Sequence, residues 1–374
     1  MPKPTTTDTM EPRNFRLHEA ILSVSAGLLA LIFMITGIGP ASAQPTPLPT
    51  PSPNGNSPSP GPNGQKTPRE GGSPVAEAMK EAMRREMPRG GAEMGQRSAR
   101  VLEEKGNAAI SLPAAGSMAK GGILPLVLAA ALDPNHWRPS FGVQGQDVSS
   151  HQGNVDWASQ WNQGSRFAYV KASEGNYYLN ENFSQQYNGS RNVGMLRGSY
   201  HFAIPNWSSG ADQARYFIAN GGAWAADGAT LPPVLDFEFN PYEGRTIGGF
   251  YFGDTCYDMS PSQLASWVRD FGNTVRSLIG RYPVIYTNTA WWNHCTGDAP
   301  GFGEYPLWVA RYPSSPTNDA GPLPSSWSRY SMWQYSSTGP FAGDSNIWNG
   351  SYADLGAFAR NGVPSAAFQA ISGL

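Results

Sequence analysis

PPVLDFEF, residues 232–239, is an apolar run broken by two acids, Asp236 and Glu238, set two residues apart. Its length and its Val, Leu and Phe content read as a buried strand, and a buried strand does not carry unpaired carboxylates without a reason. Residues i and i+2 of a strand lie on one side, with α-carbons roughly 6.6 Å apart at about 3.3 Å per residue. Both acids therefore share a side, and Phe237 takes the other. Pro241 closes the run soon after, so the acids stand at the end of their strand.

Similar runs recur on both sides of it: VQGQDVSS (143–150), FAYVKASEG (167–175), MLRGSYHFA (195–203), YPVIYTN (282–288), PLWVARY (306–312) and MWQYSS (332–337). Polar stretches of helical length separate several of them. In SPSQLASWVRDFGNTVRSLIG (260–280), Ser260 and Pro261 read as a cap and first turn and Gly280 as a stop. Strand–helix alternation of this kind predicts a parallel α/β sheet. The later strands have short connections rich in Pro and Gly, which favours an irregular TIM-like barrel over an open doubly wound sheet. No GxGxxG or Walker loop follows any strand, which removes the nucleotide-binding readings.

The rest of the chain divides by composition. All 12 Trp and all 16 Tyr lie after residue 136, and residues 44–136 hold no aromatic side chain. The folded domain is therefore expected over residues 136–374. Arg13 and Arg16 precede an apolar run at 20–39 that ends in PASAQ, a signal peptide over 1–43 cleaved after Ala43 or, alternatively, an uncleaved anchor. Residues 44–74 are a low-complexity Pro/Ser/Gly linker. Residues 75–135 read as a partly helical, mostly solvated pro-segment or linker, with Val75, Met79, Met83 and Met87 at four-residue steps. ILPLVLAAAL (123–132) is too short to span a bilayer and is expected to pack on the domain that follows. A net charge of −2 with no basic block argues against a nucleic-acid partner. In an exported chain, a disulfide is the default state for the only two cysteines, Cys256 and Cys295.

In a parallel barrel the C-terminal strand ends form the mouth where active sites assemble. Asp147 ends the first strand and points into the same mouth as Asp236 and Glu238. Asp344 is expected to reach it from the loop after the seventh strand. Acids in such a setting have their pKa values pushed apart, which supplies the proton donor and the ionised carboxylate that glycoside hydrolysis needs. The competing reading is a set of structural, salt-bridged acids, and it weakens with each acid added. A metal site drawn from Asp147, His151, His201, Asp236 and Glu238 lacks the helical spacing of a ligand pair, so no metal and no cofactor is expected. No GxSxG elbow is present. Tyr200, Phe202, Tyr286, Trp308 and Trp333 lie near strand ends, as core or as stacking faces for sugar rings.

Taken in order, GQDVSSHQGNVDW, FAYVKASEG, RGSYHFA, PPVLDFE, YPVIYTN, PLWVARY and MWQYSS resemble the strands of glycoside hydrolase family 25, the Chalaropsis-type lysozymes or N-acetylmuramidases. The resemblance covers roughly residues 142–355. It implies a (β/α)5(β)3 barrel that cleaves the β-1,4 bond between N-acetylmuramic acid and N-acetylglucosamine. On that pattern Glu238 is the general acid, Asp236 its partner carboxylate, and Asp147 and Asp344 further active-site acids. Tyr200, Phe202, Tyr286, Trp308 and Gln334 become substrate-binding candidates. The CYDMS and NHCTG segments resemble the disulfide-bonded pair of exported actinobacterial members. Many members read DVSHWQG where this chain has DVSSHQG, so any role of that Trp does not transfer. The expectation is a secreted, monomeric enzyme on bacterial peptidoglycan, touching a membrane only if the N-terminal segment is retained, and associated with the wall through its spacer or anchor. The rivals are a glycosidase on another N-acetylated polymer such as chitin, and a non-catalytic wall-binding barrel.

Overall fold

The computed structural model describes residues 74–87, 91–95 and 137–364. The expected signal or anchor, the linker up to residue 73 and the run at 123–132 lie outside the described residues. Eight strands close into a barrel in the order β1 (Val143–Val148), β11 (Asp344–Trp348), β10 (Met332–Ser336), β9 (Leu307–Ala310), β8 (Val284–Asn288), β5 (Val234–Asp236), β4 (Leu196–Phe202) and β2 (Phe167–Glu174). Pairing of β1 with β2 completes the ring, and the short β3 (Tyr178–Leu179) hangs on β2. Every neighbouring pair is parallel except the two made by β11, which runs antiparallel to both β10 and β1.

Helices follow the first five barrel strands: α2 (Trp157–Asn162), α3 (Phe183–Asn192), α4 (Gly210–Phe217), α5 (Pro261–Ile279) and α6 (Thr289–Thr296). Strands β9, β10 and β11 follow one another without helices, and α7 (Tyr352–Asn361) comes last. The architecture is the irregular TIM-like barrel that the strand rhythm predicts, in the (β/α)5(β)3 form that the resemblance implies. The segment around Asp344 departs from the expected loop. It is a strand, made possible by a turn at 337–343 that sends the chain back between β10 and β1.

The two-residue period sorts the strands into an inner and an outer layer. Phe167, Tyr169, Tyr200, Val234, Val284, Tyr286, Trp308, Met332 and Trp348 fill the barrel interior. Leu235, Phe237, Ile285, Leu307, Val309, Trp333 and Ile347 face outward and pack under the helices. Trp333, a candidate for the mouth, is on this outer layer, with its indole N–H on the Arg311 carbonyl at 2.8 Å. Helix α5 is the main cover. Ser260 and Gln263 form its capping box, Pro261 starts it, and Gly280 ends it at φ 77°, as the sequence predicts. Its Trp267 stacks on Phe237 at 5.8 Å, and Trp291 of α6 meets the same ring edge-on at 4.9 Å. Phe237 is thus clamped from outside, which holds the flanking acids inward.

Two further elements bear on the mouth. A small hairpin, β6 (Thr246–Ile247) and β7 (Phe250–Tyr251), follows β5. Helix α1 (Pro74–Glu86) lies on it, with Met79, Ala82 and Met83 at most 2% exposed. The helix is therefore docked through Ala76, Met79, Ala82 and Met83, while Val75, expected on the same stripe, is 55% exposed. Burying each Met contributes roughly 1.5–3 kcal/mol, which offsets the weakness of a short isolated helix. Beyond the hairpin, Cys256 and Cys295 form a disulfide that ties the loop after β7 to α6. With 39 residues of sequence separation, its loss on replacing both cysteines by serine is expected to lower unfolding stability by roughly 2–4 kcal/mol. Denaturant titration of the oxidised wild type and the double variant measures this, and coincident midpoints would count against it.

Candidate active site

Four carboxylates meet at the C-terminal end of the parallel strands. Asp147 ends β1, Asp236 ends β5, Glu238 follows two residues on, and Asp344 opens β11 opposite Asp147 in the strand register. All are at most 5% exposed. The amide of Phe237 donates to the Tyr286 carbonyl at 3.0 Å, so the ladder continues past the last strand residue and keeps Glu238 on the side of Asp236. The Tyr257 hydroxyl, next to the disulfide, donates to the Glu238 carbonyl at 3.2 Å.

Gln334 and Asn346 organise the β1 side. Their amide nitrogens donate to one oxygen of Asp147 at 2.9 and 2.6 Å. The Gln334 oxygen accepts from Tyr286 at 2.5 Å and from Tyr312. Trp308 donates to the Asn346 oxygen at 3.0 Å and otherwise fills the interior. Gln334 thus joins Asp147 to two tyrosines. Tyr200, Phe202, Tyr286 and Trp308 are each at most 1% exposed, and Tyr200, Tyr286 and Trp308 pack in the barrel interior in one cluster with Met94 of residues 91–95 at the mouth. The two oxygens of Asp236 and one of Asp344 have no hydrogen-bond partner among the described residues, nor has the Tyr200 hydroxyl.

A second cluster escaped the sequence reading. Lys171 and Glu174, three apart on β2, would face opposite sides of a regular strand. A register shift between Lys171 and Ser173 inserts one residue, so both turn into the mouth and pair at 2.6 Å. Glu174 also accepts from Tyr177 at 2.8 Å and from Tyr242 at 2.5 Å. The charges in FAYVKASEG were the available signal; the bulge that brings them together has no sequence signature. The two histidines do not join the acids as a ligand set. His201 faces outward, 2.9 Å from both Ser173 Oγ and Gln213 Oε1, against the rings of Phe217 and Phe271. His151 is at the rim, its Nε2 2.7 Å from the Gly91 carbonyl.

Burial dominates the electrostatics. It pushes Asp147 up to about 7 against its hydrogen bonds from Asn346 and Gln334, with Glu93 adding repulsion. Burial also holds Asp236 and Asp344 well above the usual carboxylate range, reinforced by Glu238 for the first and by Asp147 for the second. Glu174 would rise too, but the Lys171 charge and its three side-chain donors hold it below its ordinary value. Burial pushes His201 down to about 4.

A carboxyl raised in the folded state keeps a proton that unfolding releases, so its stabilising contribution is lost as pH climbs through the folded pKa. The depressed His201 acts in the opposite sense, and only below its ordinary value of 6.5. Between 6.5 and about 8 the raised acids therefore set the slope. Melting temperature is expected to fall across that window, and Asp147→Asn, which keeps an acceptor for Gln334 and Asn346, is expected to flatten the fall. An unchanged slope in the variant would sink this account of Asp147.

The family described as Glycosyl hydrolases family 25 matches residues 146–344, just over half of the 374-residue chain. Lysozyme M1 of Streptomyces globisporus is 44% identical over 227 residues, covering 59% of this chain and 72% of that protein. The N,O-diacetylmuramidase of Chalaropsis is 40% identical over 218 residues, covering 57% of this chain and 97% of that protein. The crystal structure of a bacterial lysozyme from Streptomyces coelicolor superimposes with a TM-score of 0.54 at 43% identity, over 60% of this chain and 100% of that one. The chain belongs to glycosyl hydrolases family 25, and the shared span holds the barrel strands that bring Asp147, Asp236, Glu238 and Asp344 to one mouth.

Proposed function

We propose that the chain is a secreted muramidase that hydrolyses the β-1,4 bond between N-acetylmuramic acid and N-acetylglucosamine in bacterial peptidoglycan. The observation that carries the reading is the Asp236–Glu238 pair at the barrel mouth, in a chain similar to a lysozyme and an N,O-diacetylmuramidase. Export is supported by the sequence of residues 1–43 and agrees with a disulfide in the folded domain.

In this reading Glu238 gives a proton to the leaving glycosidic oxygen. Asp236 stands beside it on the same face, with neither oxygen hydrogen-bonded by any of the described residues. A buried carboxyl without protein partners is an incomplete arrangement that a substrate completes. The amide of an N-acetyl group, which offers one donor and one acceptor, suits that position. Asp236 then orients this group next to the anomeric carbon. Asp147, fixed by Gln334 and Asn346, borders the charged centre. Asp344 faces it across the β1–β11 ladder. Tyr200 and Tyr286, buried in the barrel interior, stand close to these acids.

Glu238→Gln keeps the shape and removes the transferable proton. It is expected to lower the rate of wall clearing about 10²–10⁴-fold with an unchanged circular dichroism spectrum. Wild-type clearing by the variant would refute the role. Identifying the new reducing ends separates the substrate classes: muramic acid ends support the proposal, and N-acetylglucosamine ends would overturn it in favour of another N-acetylated polymer.

A further inference from the structure

The mouth is not open. Residues 91–95, Gly-Ala-Glu-Met-Gly, lie in it, a few positions after α1 in the sequence, and all but Glu93 are buried. The Gly95 amide donates to Oε1 of Glu238 at 2.5 Å, on the atom that a leaving glycosidic oxygen would have to approach. The Ala92 amide donates to Oε2 of Glu174 at 2.7 Å, and its carbonyl accepts from the Lys171 ammonium. Glu93 takes a hydrogen bond from Gln152 and lies 4.0 Å from His151. Met94 is fully buried and belongs to the same apolar cluster as Tyr200, Tyr286 and Trp308. The catalytic candidate, the ion pair of the second cluster and the aromatic wall are all engaged at once.

Local sequence suits the fit. A β-carbon on Gly91 would overlap the Glu174 carboxylate. One on Gly95 would overlap the Tyr312 hydroxyl and come within 2.7 Å of Gln334 and 3.0 Å of Asp344. Gly95 also adopts φ 75°, which a side chain disfavours. A side chain at either place would have to displace these groups. Upstream, α1 fixes the approach: Met79 and Met83 are buried, Ala82 and Met79 lie over Gly248 of the hairpin, and Glu86 faces Arg245 at 3.8 Å.

We infer that residues 91–95 are an intramolecular inhibitor, docked through α1, that occupies the saccharide site and makes the full chain a latent enzyme. The inference rests on the assignment of the Glu238 mouth as the hydrolytic site. A glycan strand and the Gly-Ala-Glu-Met-Gly segment need the same atoms, so binding of one excludes the other. Hydrolysis requires the segment to leave the mouth. The segment works through backbone amides, one carboxylate and one thioether, and offers no glycosidic bond, so the site has nothing in it to cleave.

The test compares the full-length wild type with Gly91→Leu/Gly95→Leu, which alters the segment and leaves the barrel untouched. Two readouts are taken: reducing ends released from purified peptidoglycan, and peroxide oxidation of Met94 followed by mass spectrometry. The expected result is a Met94 protected in the wild type and reactive in the variant, with an initial rate about tenfold higher or more in the variant. Met94→Asp, which places a charge in the apolar part of the mouth, should raise the rate as well. A wild type whose Met94 oxidises as fast as in urea, or variants with reactive Met94 and no gain in rate over an active wild type, would overturn the inhibitor and leave the muramidase. No hydrolysis by any form, despite a reactive Met94 in the double variant, would overturn the hydrolytic assignment and the inference with it.

Discussion

Four carboxylates share one desolvated mouth, and much of the rest of the molecule answers to the cost of that. Like charges at close quarters in a low dielectric cannot all be ionised. The chain meets the difficulty in different ways at different acids. Asp147 is held by two side-chain amides that are themselves fixed by tyrosine and tryptophan donors. Asp236 and Asp344 are pushed toward their neutral forms. Glu174, slightly apart, keeps its charge because Lys171 was brought round to it. The result is a set of chemically distinct acids made from nearly identical side chains.

What positions these acids lies largely outside the mouth. Phe237, between Asp236 and Glu238, is stacked on Trp267 and edged by Trp291, so the outer layer fixes the orientation of the inner one. The disulfide ties the loop carrying Tyr257 to α6, and Tyr257 reaches the carbonyl of Glu238. The antiparallel β11 closes the ring and sets Asp344 opposite Asp147. Each support acts on backbone position, leaving the carboxylate oxygens for chemistry.

Much of this was legible in the chain. The period of PPVLDFEF gave the shared side of Asp236 and Glu238, and the capping residues of 260–280 gave the bounds of α5, because both depend on local geometry. Asp344 was placed at the mouth but in the wrong element: DSNIW is a strand only because β10 and β1 are there to pair with it. The Lys171–Glu174 pair was hidden by a bulge that breaks the period on which the reading relied. The methionine stripe of α1 was visible, whereas its partner surface, formed by a hairpin some 160 residues away, exists only in the fold. Residues 91–95 were the hardest to foresee. Two glycines and an alanine carry almost no hydrophobic signal, and their importance lies in fitting where nothing larger can.

The direction of the first strand has a consequence for how residues 91–95 are held. The segment sits at the mouth, but β1 begins at the opposite end of the barrel, where Val143 pairs with Trp348. The two belong to one chain. Occupancy of the mouth is then independent of dilution while the chain between them is whole and becomes an ordinary bimolecular equilibrium once it is severed.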